Sequence, residues 1–175
     1  MNIVKYPSPI LKKKAKNIKE ITKEHVQRIP EMIRTMDANE GIGLAAPQVG
    51  ISERMIIVKD GEQNLAFFNP RILKKGKAQE TEEEGCLSLP GLFTKLRRAS
   101  QVEVVAQDAK GKPVYVTAKG LSARILQHEI DHLEGKLIIN RVSPIARLKL
   151  RKQLKAIAKT GSYGHKPPAT PQSSS

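Results

Sequence analysis

Residues 121–133 read LSARILQHEIDHL, a run whose apolar positions return at helical spacing, with Gly135 behind it as a stop signal. Inside it lies His128-Glu129-Ile130-Asp131-His132, an H-E-x-x-H pattern. Positions i and i+4 stand about 40° apart around a helix, so both imidazoles can reach one metal ion. Glu129 lies beside them on a different bearing, where a general base would work on water at that ion. The alternative is a pair of surface histidines on an amphipathic helix.

A catalytic ion needs a third protein ligand and an open position. The single cysteine, Cys86 in EGCLSLP at 84–90, is the candidate upstream. A lone cysteine also reads as a small buried hydrophobe or as a nucleophile. A third segment, GIGLAAPQ at 41–48, has two glycines that let a ligand approach the backbone and, in Gln48, a side-chain amide able to donate. By itself it could equally be a tight loop. It is no dinucleotide fingerprint, because the third glycine and the preceding strand are missing.

Around these motifs the pattern is α+β. Residues 21–38 have helical periodicity with Pro30 inside, predicting a first turn or a kink there. Residues 54–58, 65–69, 102–107 and 114–118 read as strands, separated by turn signals such as Asp60-Gly61. Ser143-Pro144 opens a helix expected to run to about Thr160, with Leu150, Leu154, Ile157 and Ala158 on its docking face. Residues 161–175 read as a disordered tail.

The chain of 175 residues is one domain in size. One cysteine excludes an internal disulfide, no stretch is apolar enough to span a bilayer, and no signal h-region opens the chain, which together predict a cytoplasmic protein with no membrane partner. Of the net charge of +14, residues 136–175 supply nine Lys or Arg and no acid. Such an end suits an anionic partner such as RNA, or simply a solvated helix face.

Taken together and in this order, GIGLAAPQ, EGCLS at 84–88 and HEIDH at 128–132 resemble the three signature motifs of the peptide deformylase family, G-Φ-G-Φ-A-A-P-Q, E-G-C-Φ-S and H-E-Φ-D-H, without a departure. The resemblance covers roughly residues 1–160. It implies an α+β fold with antiparallel strands around a central helix carrying H-E-x-x-H, followed by a C-terminal helix. It implies a hydrolase that takes the formyl group from the N-terminal formyl-methionine of nascent polypeptides, yielding formate. Cys86, His128 and His132 would hold one divalent ion, usually Fe2+ in the family, with Zn2+, Ni2+ or Co2+ able to occupy the site. Glu129 would be the base, and Gln48 and the Leu87 N–H the oxyanion donors. The peptide would lie extended beside Gly43 and Gly91, with Ile42, Leu121 and Ile125 near the methionine pocket and Arg98 near the peptide backbone; these side chains also read as ordinary core or surface residues.

Bacterial members dock on the ribosome through a C-terminal helix, which would set Arg147, Lys149, Arg151, Lys152 and Lys155 against rRNA phosphates. Two rival readings exist. A metallopeptidase of the H-E-x-x-H type takes its third ligand downstream, where only Glu134 and His165 stand. A basic RNA-binding protein without catalysis leaves Cys86, His128, Glu129 and His132 unexplained, and aromatic residues at 3% offer little for stacking on bases.

Overall fold

A computed structural model describes residues 1–163. Helix α1 (Lys23–Ala38) precedes a five-stranded antiparallel sheet and a two-stranded one. In chain order the strands are β1 (Gly43–Ala45), β2 (Met55–Asp60), β3 (Gln63–Lys75), β4 (Gln79–Glu84), β5 (Thr94–Ala99), β6 (Gln101–Gln107) and β7 (Pro113–Lys119). The larger sheet runs β1-β2-β3-β6-β7, and β4 pairs with β5. Then come α2 (Gly120–Leu133), α3 (Pro144–Lys149) and α4 (Arg151–Thr160). The expected α+β class is the observed one.

Strand β2 shows how the layers form. Its Met-Ile-Ile-Val run is buried throughout, because the sheet is covered on both faces. Ile56 and Val58 join Val102, Val104, Leu126, Ile130 and Leu133 in the core beneath α2. Met55 and Ile57 point the other way, to Met32, Met36 and Phe68 beneath α1. Alternate side chains of a strand face opposite sides, so one strand feeds both cores. A third core joins Leu89 and Leu92 to Leu137, Ile138, Leu150, Leu154 and Ile157 from the C-terminal part.

Several expectations are corrected. Helix α1 begins at Lys23, seven residues before Pro30, so of the two alternatives the first-turn one fails and the proline lies inside the helix. Burial of Met32 and Met36 on its inner face offsets the lost backbone bond. The C-terminal helix is two helices, α3 and α4, broken at Leu150. Ala158 is exposed rather than docked. Strands β1, β4 and β5 had no signal in the sequence reading. Of the segment expected to be disordered, residues 164–175 lie outside the described residues; before them, Tyr163 donates its N–H to the Pro90 carbonyl at 3.0 Å.

Asn69 fastens the N-terminal segment to the sheet at the β3 bulge. Its φ is 51°, left-handed. Its side chain takes the Ile18 N–H at 2.9 Å, donates to the Ile18 carbonyl at 2.8 Å and to Gln107 Oε1 at 2.7 Å. Asn69→Ala removes those bonds and leaves a side chain poorly suited to that backbone. Urea denaturation is expected to show a loss of roughly 2–4 kcal/mol.

Candidate metal centre

Two segments far apart in sequence build the site. Cys86 comes two residues after the end of β4, and His128 and His132 stand one turn apart on α2, whose inner side is buried. The three potential ligand atoms lie within 4.8 Å of one another. Cys86 Sγ is 3.3 Å from His132 Nε2, which is 3.2 Å from His128 Nε2. A thiol and two imidazoles converging through their Nε2 atoms form a donor set that suits a divalent transition ion.

The surroundings orient these donors. Glu84 Oε2 sits 3.1 Å from His128 Nδ1, so the outer nitrogen of that ring is occupied and the inner one faces Cys86. Glu84 is itself gripped by Arg98, through Nε at 2.6 Å and NH2 at 2.9 Å, and by Arg124 NH1 at 2.7 Å. Burial alone would raise the Glu84 carboxyl, but hydrogen bonds from His128 and Arg98 outweigh it and hold it at about 2. Burial also lowers His132, and the neighbouring His128 adds to the effect, keeping the His132 ring neutral. Its Nδ1 is buried with no hydrogen-bond partner among the described residues.

Glu129 has the opposite environment. It is 3% exposed, and its Oε2 has no partner among the described residues. Burial pushes its carboxyl up to about 7, against the pull of His128 and Arg98. Gly43 makes room for it: a Cβ there would fall 2.3 Å from Glu129 Oε1. Gln48 is fixed by its oxygen, which accepts the Ala45 N–H at 2.8 Å. Its NH2 therefore turns to Ser88 Oγ at 3.3 Å and to Cys86 Sγ at 3.7 Å. Leu87 follows Cys86 directly and packs against the Gly41 backbone.

The expected peptide-side residues divide. Ile42 and Leu121 are exposed, and Ile125 is buried beside Gly43. Two others have close protein neighbours. Arg98 is 6% exposed and spends its nitrogens on Glu84 and Asp131, so it faces the metal centre's supports and not open solvent. Gly91, at φ 78°, lies under the C-terminal chain, where a Cβ would fall 1.7 Å from the Tyr163 carbonyl oxygen. Glu84, Arg124, Asp131 and Arg141 received no role from the sequence. Glu84 had one usable signal: it sits two residues before Cys86, and a metal-binding imidazole needs a partner for its other nitrogen.

The chain is similar to known proteins over most of its length. The sequence model described as Polypeptide deformylase matches residues 1–148. A peptide deformylase of Thermodesulfovibrio yellowstonii is 47% identical over 160 residues, covering 89% of this chain and 96% of that protein. One from Thermotoga petrophila is 44% identical over 155 residues, covering 89% and 94%. Among solved structures, peptide deformylase 1B of Arabidopsis thaliana superposes at TM-score 0.85 with 35% identity, covering 92% of this chain and 94% of that one. The Thermotoga maritima enzyme does so at 0.79 with 41% identity, covering 82% and 97%.

The buried Glu129 gives a pH signature in the metal-free protein. Its folded carboxyl, at about 7, holds a proton to higher pH than the ordinary 4.5 of an exposed one. That contribution to stability is complete below 4.5 and is lost as pH rises toward 7. Glu129→Gln does not titrate. Relative to wild type, its stability is expected to climb by roughly 2–3 kcal/mol from pH 4.5 to 8, measured by urea denaturation after chelation.

Proposed function

This chain belongs to the polypeptide deformylase family and removes the N-terminal formyl group from nascent peptides, and on that premise we propose how its residues divide the work. Cys86, His128 and His132 hold one divalent ion, Glu129 moves the proton, and Gln48 and the Leu87 N–H receive the developing oxyanion. The carrying observation is the convergence of one thiol and two imidazoles within 4.8 Å, next in sequence to a buried carboxylate whose Oε2 has no partner among the described residues. When bound, the ion supplies Lewis acidity and makes water nucleophilic near neutral pH. Ferrous iron is the resident ion in this reading, as the family resemblance implies, with zinc, nickel or cobalt as substitutes.

Glu129 takes a proton from the attacking water as oxygen adds to the formyl carbon. A buried carboxyl beside the three donor side chains suits that task. It then delivers the proton to the departing amine nitrogen as the C–N bond breaks, releasing formate and the methionyl peptide. The Gln48 amide cannot turn over without losing its bond from Ala45, so its N–H donors stay aimed toward the thiol. Such a donor, fixed before reaction, is worth most where charge appears.

For the peptide we propose an extended course beside β1, the edge strand of the larger sheet, where Gly43 allows close approach. Ile42, Leu121 and Ile125 line the methionine side. Glycine at 43 also keeps the base in place, as shown by the Cβ contact it avoids. The C-terminal helices carry a separate proposal. Arg147, Lys149, Arg151, Lys152 and Lys155 all point outward, beside exposed Ile145 and Leu148, and form a surface for ribosomal RNA. No helix among the described residues is long and apolar enough to cross a membrane. A cytoplasmic location, where nascent chains are made, belongs to this reading.

Two measurements test these assignments. Formate release from a formyl-Met tripeptide by iron- or nickel-loaded protein should vanish in Glu129→Gln and fall about a hundredfold to a thousandfold in Gln48→Ala. Wild-type rates in either variant would refute its role. Ribosome co-sedimentation should weaken with added salt and with Arg151→Glu/Lys155→Glu, while tripeptide turnover stays unchanged. Binding insensitive to both would remove the RNA proposal.

A further inference from the structure

Asp131 lies on the same helix as both histidines and hydrogen-bonds to neither. Its buried carboxylate takes Arg98 NH1 on Oδ2 at 2.8 Å. Arg141 forks across it, with Nε at 2.9 Å from Oδ2 and NH2 on Oδ1. Arg98 is the shared member of the set. Its other two nitrogens grip Glu84, and Glu84 meets His128 Nδ1. Five side chains therefore run unbroken from Arg141, 38% exposed, to the ring of His128.

We propose that Arg141 is a positioning residue for the metal centre: by satisfying Asp131 from outside, it leaves Arg98 free to hold Glu84 and so fixes the His128 ring. This inference rests on the reading of Cys86, His128 and His132 as ligands. Its physical ground is competition for one guanidinium. A buried carboxylate left with a single partner is costly, and the cost falls as more donors approach. Without Arg141, the one side-chain hydrogen bond left to Asp131 among the described residues comes from Arg98, with Lys75 a more distant charge, and Asp131 draws Arg98 away from Glu84. Arg124 then holds Glu84 through Oε1 alone, and Oε2, the atom facing His128, is free to turn.

The placement of Arg141 in the chain fits that role. It follows the short 3-10 turn Ile138–Asn140 and comes two residues before Ser143, the cap of α3. The segment leaving the metal-bearing helix thus folds back to brace it. A lysine could supply the charge but not the planar fork that meets both carboxylate oxygens.

The test uses the full chain loaded with Co2+, following release to a chelator and the ligand-field bands. Partners of metal-binding histidines cost about 10–100-fold in metal affinity when removed. Arg141 acts further out, so Arg141→Ala is expected to release cobalt about 3–30-fold faster, with shifted bands. Arg141→Lys should fall between it and wild type. Ser143→Ala, which loses the α3 cap bond from Ala146 N–H without touching a charge, should release cobalt at the wild-type rate. Wild-type release and bands in the Arg141 variants overturn the proposal, and if the alanine variant does not fold, the lysine variant decides alone. A thiolate-to-cobalt charge-transfer band that disappears in Cys86→Ser marks the ligand reading as sound. With that band present, unchanged Arg141 variants defeat only this inference; with it absent from wild type, both readings fall.

Discussion

Glu84 meets His128 across a buried carboxylate–imidazole contact of 3.1 Å, and the arrangement of the site follows from it. The contact ties the end of β4, which leads into Cys86, to the helix that carries both histidines. Ligands from two remote segments are thereby held in one register. Maintaining an ionised carboxylate in that interior requires cations. Arg98 and Arg124 supply them at 2.6–2.9 Å, and Asp131 balances the excess from the far side. Buried ion clusters of this kind add little net stability compared with a well-packed apolar core, because desolvation offsets the attraction. What they contribute here is direction: each carboxylate oxygen has an assigned partner.

The same physics separates two carboxylates on neighbouring segments into two roles. Glu84 is surrounded by donors, and its carboxyl is held down at about 2, so it stays an acceptor for His128 at any working pH. Glu129 is also buried but has no partner at Oε2 among the described residues, and it rises to about 7. One is a fixed anion, the other a mobile-proton group. Pairs of acids driven apart in this way mark the division between structural and acid–base duties.

The sequence made the fold legible where burial is periodic. Helix α2 and strands β6 and β7 showed themselves because their apolar residues repeat at the spacing of the element, and β2 because an unbroken β-branched run ends at the Asp60-Gly61 turn. Strands β4 and β5, QETEEE and TKLRRA, did not, because their small sheet is largely solvated and offers almost no hydrophobic alternation. Strand β1 has three residues, too few for any period to show. The ligand set could be picked out by residue type, and its convergence is what the structure adds. The two carboxylate partners of Arg98 were not legible for a plain reason: in sequence, an arginine that enters the interior to serve two carboxylates looks the same as one that reaches outward to a substrate. The break at Leu150 was hidden because the apolar spacing continues across it.

Cys86 sits on a segment with no helix or strand of its own, and loops are ordinarily the mobile parts of a fold. Here the two described ends of the chain hold it still. Tyr6 donates its N–H to the Ser88 carbonyl at 2.9 Å, and Tyr163 donates to Pro90 at 3.0 Å. Gln48 reaches Ser88 from the third motif. Beneath, Leu89 and Leu92 enter a core shared with Leu150, Leu154 and Ile157 of the C-terminal part. The segment also closes on itself, with Leu89 N–H on the Cys86 carbonyl and Leu92 N–H on that of Leu89. Its rigidity is therefore tertiary in origin. That explains why a short motif, EGCLS, can specify a thiol's position only in company with the distant residues that pack around it.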